Sequence, residues 1–334
     1  ISIEGSLSNL VVNLNGEVGA MQTGAAFPAD TTSALQFEVA GALLHATDPA
    51  RMGMDMNIRK LQARHTFFAF LEPQGIRFPD VLDVTGALRG NMAKLNTELN
   101  INALRNGENS QLQVQGDLKN IRHPLHIGFD LQFNAALTRA EILGYVPDSV
   151  LTPVMRLPDR TRVKGAAKGN RQAATGSLQV ALGSAGNIYL TGDLQDSTYH
   201  ADVRAENIRP SQLAADTSLR PLKLLSFNAQ LDGTGFQLGK TALLKFNGVV
   251  DSLIWDNVIL RELRLAADIN GKKFVGTFES PDDRMAVRAR VAGDLEPALP
   301  TITSDLYLNC VDLRAFGWSK RPTTICMHLR SESE

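Results

Sequence analysis

The stretch Leu95-Asn96-Thr97-Glu98-Leu99-Asn100-Ile101-Asn102-Ala103 decides the fold. Apolar or small residues hold every second position and wet side chains the positions between, the period of a strand with one dry and one solvated face. The same period runs outward in both directions. Leu35, Phe37, Val39, Gly41 and Leu43 carry it upstream; Leu112, Val114, Gly116 and Leu118, then Ile127, Phe129, Leu131 and Phe133 carry it on. It returns at Leu178, Val180 and Leu182, at Ile188, Leu190, Gly192 and Leu194, and at Tyr199, Ala201, Val203 and Ala205. Leu263, Leu265, Ala267 and Ile269, then Phe274, Gly276 and Phe278, then Met285, Val287, Ala289 and Val291 extend it into the last third. Ile302, Ser304, Leu306, Leu308 and Cys310 close the series. Helical spacing is almost nowhere sustained.

The links are hairpin-sized. Asn270-Gly271-Lys272-Lys273 and Arg105-Asn106-Gly107-Glu108 carry an Asn-Gly signal for tight turns with positive φ. Ser184-Ala185-Gly186-Asn187 and Ser280-Pro281-Asp282-Asp283 read as turns on local chemistry. Short links give antiparallel meanders, since parallel strands need long crossovers. Gly-Asp-Leu recurs at Gly116, Gly192 and Gly293 at unequal spacing, a loose family of strand ends and no fixed repeat. Three short helices are expected: within Leu137 to Val154, ended by Gly144 and Pro147; at Pro210 to Ala215; and at Leu313 to Gly317.

Composition narrows the functional classes. The 334 residues allow two or three compact domains by length alone, but no Pro/Gly/Ser-rich linker divides them, and the reading is one continuous β body. Lys and Arg number 34 against 35 Asp and Glu, so no basic excess exists to drive nucleic-acid binding, and none is expected. The longest dry run, Thr66-Phe67-Phe68-Ala69-Phe70-Leu71, is far short of a membrane span. The chain opens at Ile1 in strand-like sequence, and we read it as an internal piece of a longer protein. Cys310 and Cys326 would pair in an oxidising space and would equally serve as two small hydrophobes.

Enzymatic signals fail on inspection. Gly233-Thr234-Gly235-Phe236-Gln237-Leu238-Gly239-Lys240-Thr241 imitates a phosphate loop, but Thr234 stands where its first glycine belongs, and Leu243, Leu244, Phe246 and Val249 continue as a strand instead of a helix. His123 and His126 have Pro124 between them and no further ligands at metal spacing. Glu279, Asp282 and Asp283 read as a solvated turn. No nucleophile elbow is present. The expectation is a non-enzyme without cofactor or metal. Trp255 and Trp318 are read as packing at element ends.

Against this background a resemblance becomes specific. Phe129-Asp130-Leu131, Tyr145-Val146-Pro147, Leu157-Pro158 with Val163-Lys164-Gly165, Ala167-Lys168-Gly169, Gly192-Asp193-Leu194 before Tyr199, and Asn207-Ile208-Arg209 before Leu213 form one block. Phe246-Asn247-Gly248-Val249-Val250-Asp251-Ser252-Leu253, Leu263-Arg264-Leu265, Asn270-Gly271, Phe278 to Asp283, and Val311 to Gly317 form a second. Together they resemble the Bacteroidetes-type branch of the TamB family, the translocation and assembly module subunit, within the AsmA-like superfamily. The match covers residues 81–317; residues 1–80 match in style only, and 318–334 are read as a tail with little order, ending Arg330-Ser331-Glu332-Ser333-Glu334.

The resemblance implies an all-β, elongated and curled antiparallel sheet, a U-shaped apolar groove (β-taco) with a few short helices. It also implies a periplasmic segment of an inner-membrane-anchored bacterial envelope protein. Its cargo would be phospholipid acyl chains bound for the outer membrane. Its partner would be an outer-membrane barrel protein of the TamA/BamA class, reached through regions outside this chain, in outer-membrane protein assembly or secretion. The candidate groove lining is Leu178, Val180, Leu190, Leu263, Leu265, Phe274, Phe278, Val287, Leu306 and Leu308. An alternative is a scaffold that takes client strands by β-augmentation without carrying lipid.

Overall fold

A computed structural model describes residues 2–6, 9–18, 34–48, 51–68, 77–145, 156–214, 217–235, 243–295 and 301–333. The protein is all-β: strands hold 71% of the described residues and helical segments 9%. Among the described residues, twenty strands, antiparallel throughout, form a sheet that is not closed into a barrel. Two compact units divide the chain, Ile1–Thr152 with Pro158–Arg171, and Pro153–Leu157 with Gln172–Glu334.

The first unit contains β1 (Ser2–Ser6), β2 (Asn9–Val18), β3 (Leu35–Leu44), β4 (Gly53–Arg64), β5 (Val81–Asn91), β6 (Lys94–Arg105), β7 (Glu108–Lys119), β8 (Gly128–Thr138) and β9 (Arg160–Gly169). Each pairs with the next, a plain meander. The β6–β7 hairpin turns on Asn106 and Gly107, with φ of 52° and 80°. Positive φ at both central residues is the type I′ requirement that Asn-Gly meets. Gly86 of β5 has φ of 151°, and a Cβ there would run into the Glu98 carbonyl oxygen of β6. Glycine is what lets those two strands close.

Two helical segments, α1 (His65–Phe68) and α2 (Arg139–Tyr145), connect strands of this unit. α2 is the described part of the helix expected within Leu137 to Val154; residues 146–155, including Val146 and Pro147 of the family pattern, lie outside the described residues. α2 follows β8 through a buried polar joint. The Thr138 N–H donates to Ser110 Oγ at 2.9 Å, and the Glu141 N–H to Thr138 Oγ1 at 3.3 Å. Glu141, 3% exposed, accepts from the Arg105 guanidinium at 2.9 Å, and Arg105 also donates to the Arg77 carbonyl at 3.1 Å. The Tyr145 ring lies 5.4 Å from that guanidinium. Partial burial, reinforced by Glu141, raises the Tyr145 phenol above its ordinary value.

The second unit contains β10 (Ala173–Ala181), β11 (Asn187–Gln195), β12 (Thr198–Ile208), β13 (Leu222–Thr234), β14 (Leu243–Trp255), β15 (Val258–Leu260), β16 (Leu263–Asn270), β17 (Lys273–Ser280), β18 (Ala286–Asp294), β19 (Thr301–Asp312) and β20 (Thr324–Ser333). β14 pairs with β16 through Val250 and with the short β15 beyond Leu253; the remaining pairings are again sequential. The β16–β17 turn places Gly271, φ 60°, at its first central position, where a type II′ hairpin takes glycine. The expected helix at Pro210 is present as α3 (Pro210–Leu213).

Two sequence readings need correction here. Leu313 to Gly317 is a turn, not a helix, because Phe316 folds down into the sheet and Gly317 takes φ of 71°. The residues after Gly317 are not a tail of little order. β20 pairs with β19 from Asp312↔Thr324 to Ile302↔Ser333, and a disulfide joins Cys310 to Cys326. A bulge between Leu308 and Val311 contains Cys310, whose φ is 61°. In Thr324–Ser333 the wet residues His328, Arg330 and Glu332 alternate with Ile325, Met327 and Leu329, the period of a strand. The phosphate-loop imitation runs into residues 236–242, outside the described residues; β14 begins at Leu243, as the alternation there predicts.

Candidate functional site

Parity along a strand and register between strands fix which side chains share a face. In the second unit they assemble one apolar face. The pairs Leu178↔Leu190, Leu190↔Val203, Val203↔Ala229, Ala229↔Gly248, Gly248↔Leu265, Leu265↔Phe278, Phe278↔Ala289, Ala289↔Leu306 and Leu306↔Leu329 form an unbroken cross-strand row. It crosses ten strands, about 43 Å along the sheet at ordinary strand spacing. A flanking row holds Val180, Ile188, Ala205, Phe227, Val250 and Leu263, and continues through Val287 and Leu308 to Met327. Another runs from Leu194 and Tyr199 through Leu244, Ile269 and Phe274 to Ile302.

All ten sequence-predicted residues therefore fall on this one face, but they divide by environment. Val258, Leu260, Leu263, Val311 and Phe316 form a buried cluster at one strand end, with Phe278, Val287 and Leu308 packed against it. Leu263 is 3% exposed, an ordinary core residue. Leu265 is 37% exposed, while Leu178, Val180, Leu190, Phe274 and Leu306 are half-buried by neighbours in the same sheet. The Phe274 ring lies over Gly293 of the adjacent strand, where an added Cβ would meet it. Ile302 at 39% and Leu329 at 49% continue the open part.

The first unit repeats the pattern with residues that the sequence reading did not assign. Leu14↔Val39, Val39↔Ile58, Ile58↔Gly86, Gly86↔Leu99, Leu99↔Val114 and Val114↔Phe133 make one row, and Leu10, Leu43 and Met54 start another. Alternation signalled the strands from Leu35 onward. The Met54-Asp55-Met56-Asn57-Ile58 stretch carried the same signal and had no place in the predicted lining.

The opposite face is wet and salt-laced. Asp117 accepts from Lys94 at 3.0 Å, and Lys273 stands 3.4 Å from Asp294, so two Gly-Asp-Leu aspartates tie strand ends together. Lys94 and Asn96 hold the Asp117 carboxyl below its ordinary range. Asp282 caps the turn before β18 and accepts from Arg284 at 2.7 Å, which accounts for the acidic cluster there. His123 precedes a 3-10 turn at Pro124–His126 and His126 ends it, and no group of three metal-binding side chains occurs among the described residues. Trp255 and Trp318 meet edge-on at 6.3 Å beside the buried cluster.

Shallow cavities open on this wet face. One of about 470 Å³ lies among Tyr189, Asp202, Arg204, Asn228, Gln230 and Asn247, and one of about 560 Å³ among Glu279, Arg288, Arg290, Asp305 and Tyr307. The first unit has one of about 440 Å³ among Glu98, Asn100, Gln113, Gln132 and Asn134. Of the ten predicted lining residues only Phe278 borders any of the three, so the apolar rows present an open face and not a closed pocket. No protein-family model, no curated protein and no solved structure matches this chain.

Proposed function

We propose that this chain is a lipid-carrying segment of a TamB-like envelope protein, in which phospholipid acyl chains lie along the apolar rows of the sheet on their way to the outer membrane. The observation that carries the reading is the unbroken row from Leu178 to Leu329, in which Leu265 and Leu329 are exposed and Leu178, Leu190, Val203 and Leu306 only half-buried. Contiguous apolar surface on that scale marks a binding face more often than a solvated one. Moving an acyl chain through water costs ~0.8 kcal/mol per CH₂, roughly 10 kcal/mol or more per chain. A row with an apolar contact at each strand spacing offsets that cost along its whole length. An envelope location in an oxidising compartment accords with the Cys310–Cys326 disulfide. Among the described residues no helix is long and apolar enough to cross a membrane. In this reading the anchor and the barrel partner belong to regions outside the chain.

Native mass spectrometry of the chain purified from bacterial membranes tests this. Phospholipid adducts are expected, and they should disappear in Leu190→Asp combined with Leu265→Asp while far-UV circular dichroism stays unchanged. Lipid retained by that variant would sink the assignment. One observation favours a second reading, a scaffold for client strands: among the described residues β20 pairs only with β19. Photocrosslinkers at β20 capturing unfolded barrel strands, with no lipid bound anywhere, would favour it.

A further inference from the structure

We propose that the wet face of the second unit carries a binding site for a linear, uncharged glycan, centred on Tyr189. The proposal concerns the face opposite the apolar rows and does not rest on the lipid reading. Two cross-strand rows build the site: Tyr189↔Arg204, Arg204↔Asn228 and Asn228↔Val249, and beside them Thr191↔Asp202, Asp202↔Gln230 and Gln230↔Asn247. Between the rows lies the cavity of about 470 Å³. It crosses four strands, about 14 Å at ordinary strand spacing, the length of several sugar units.

The chemistry of the walls selects the ligand. Tyr189 is the one aromatic side chain of the lining and offers an apolar ring with a polar tip, the surface on which the C–H face of a pyranose stacks. Around it stand amides and a hydroxyl that both donate and accept, as sugar hydroxyls do. Thr191 and Asn247 have no intramolecular side-chain hydrogen bond among the described residues and remain for a ligand. Others are held by neighbours: Asn228 donates to Asp251 at 2.6 Å, and Gln230 donates to Asp202 within the lining itself.

Charge argues against an ionic ligand. Arg204 is paired with Glu206 at 2.5 Å, and Asp202 with His200 at 3.0 Å, so neither sign prevails. An anion such as phosphate would need an unpaired cation, and a metal ion would need a cluster of acidic or imidazole ligands. A shallow, open furrow with one ring and several neutral polar groups suits a chain of hydroxyls.

Isothermal titration of the whole chain with chitotetraose and cellotetraose tests the site. At least one should bind saturably, with little change between low and high salt. Tyr189→Ala should weaken binding tenfold or more, Asn247→Ala several-fold, and Tyr189→Phe should retain it, since the ring remains. Leu265→Asp, on the other face, should leave it unchanged. No saturable binding of either sugar overturns the proposal. So does equal binding by Tyr189→Ala with its fold intact by circular dichroism, or binding that appears only with sulfated or carboxylated oligosaccharides.

Discussion

Leu263 and Leu265 stand two positions apart on the same face of β16, yet one is 3% and the other 37% exposed. The strand, the side chain and the face are the same. What differs is the chain above them. Over Leu263 fold β15 and the turn that carries Phe316, and the buried cluster forms there. Leu265 stands between its cross-strand neighbours Gly248 and Phe278 and is no part of that cluster. The two leucines teach that apolarity in this sheet has two separate uses. At the strand end it is consumed by the protein's own packing. In the middle of the strands, internal packing does not explain why the row stays apolar.

The sharpest way to break that comparison is to empty the packed side. Phe316→Ala should cost about 4 kcal/mol of unfolding free energy and Leu263→Ala about 3, because both leave a cavity in a cluster that can collapse only in part. Both tryptophans, Trp255 and Trp318, lie in the second unit, so their fluorescence in a urea titration reads that unit alone. A loss under 1 kcal/mol at Leu263 would erase the distinction between the two leucines.

The first unit closes its own strand end with charge instead of oil, and this gives the next test. Glu141→Gln leaves the Arg105 guanidinium, 12% exposed, without its counter-ion, and should cost about 3 kcal/mol. The double change Arg105→Met with Glu141→Leu should recover most of it, since an apolar pair of similar volume needs no desolvation of ions. Hydrogen exchange across Arg139–Tyr145 reads the effect locally. If the double variant is no better than the single one, the ion pair does more than hold α2 in place.

On the open side the expected effect is small. Leu265→Ala should change stability by about 1 kcal/mol or less, since the side chain is already in contact with water over a third of its surface. The same change should reduce lipid adducts measurably. A stability loss equal to that of Leu263→Ala would mean that Leu265 is core after all.

These contrasts also show what could be read from the residues alone. Strand identity and face were legible because a period of two is a local property: Leu263 and Leu265 announce one face without any knowledge of neighbours. Which of them is covered was not legible, because that depends on where residues 256–262 and 313–323 fold. Phe316 looked like part of a helix in Leu313 to Gly317, and only the tertiary contact reveals its turn. β20 was legible by the same rule, since Ile325, Met327 and Leu329 alternate with His328, Arg330 and Glu332, and reading it as a tail gave the charged end too much weight. The Tyr189 furrow needed register: Tyr189, Arg204 and Asn228 come from three strands, and no local motif joins them.

The smallest expected effect lies on the wet face, and its sign can be worked out. His200 stands in a cross-strand row between Asp193 of β11 and Asp232 of β13, with Asp202 two residues along its own strand. Its Nδ1 lies 2.6 Å from Asp232 Oδ1 and its Nε2 lies 3.0 Å from Asp202 Oδ2. The Asp232 hydrogen bond first, and the Asp202 bond second, raise the imidazole above its ordinary value of 6.5. The folded state therefore holds the proton more tightly than the unfolded chain does. The stability gained is fully present below pH 6.5 and is lost as pH rises through the raised value. Exposure to solvent keeps the gain small. Wild type and His200→Gln, compared by urea titration from pH 5.5 to 9, should differ most at the acid end and converge at the alkaline end. A gap that is constant over this range would assign the His200 contacts to neutral hydrogen bonding. The wet face would then share with the Leu263 cluster a stability that does not depend on pH, and charge would no longer distinguish the two faces of the sheet.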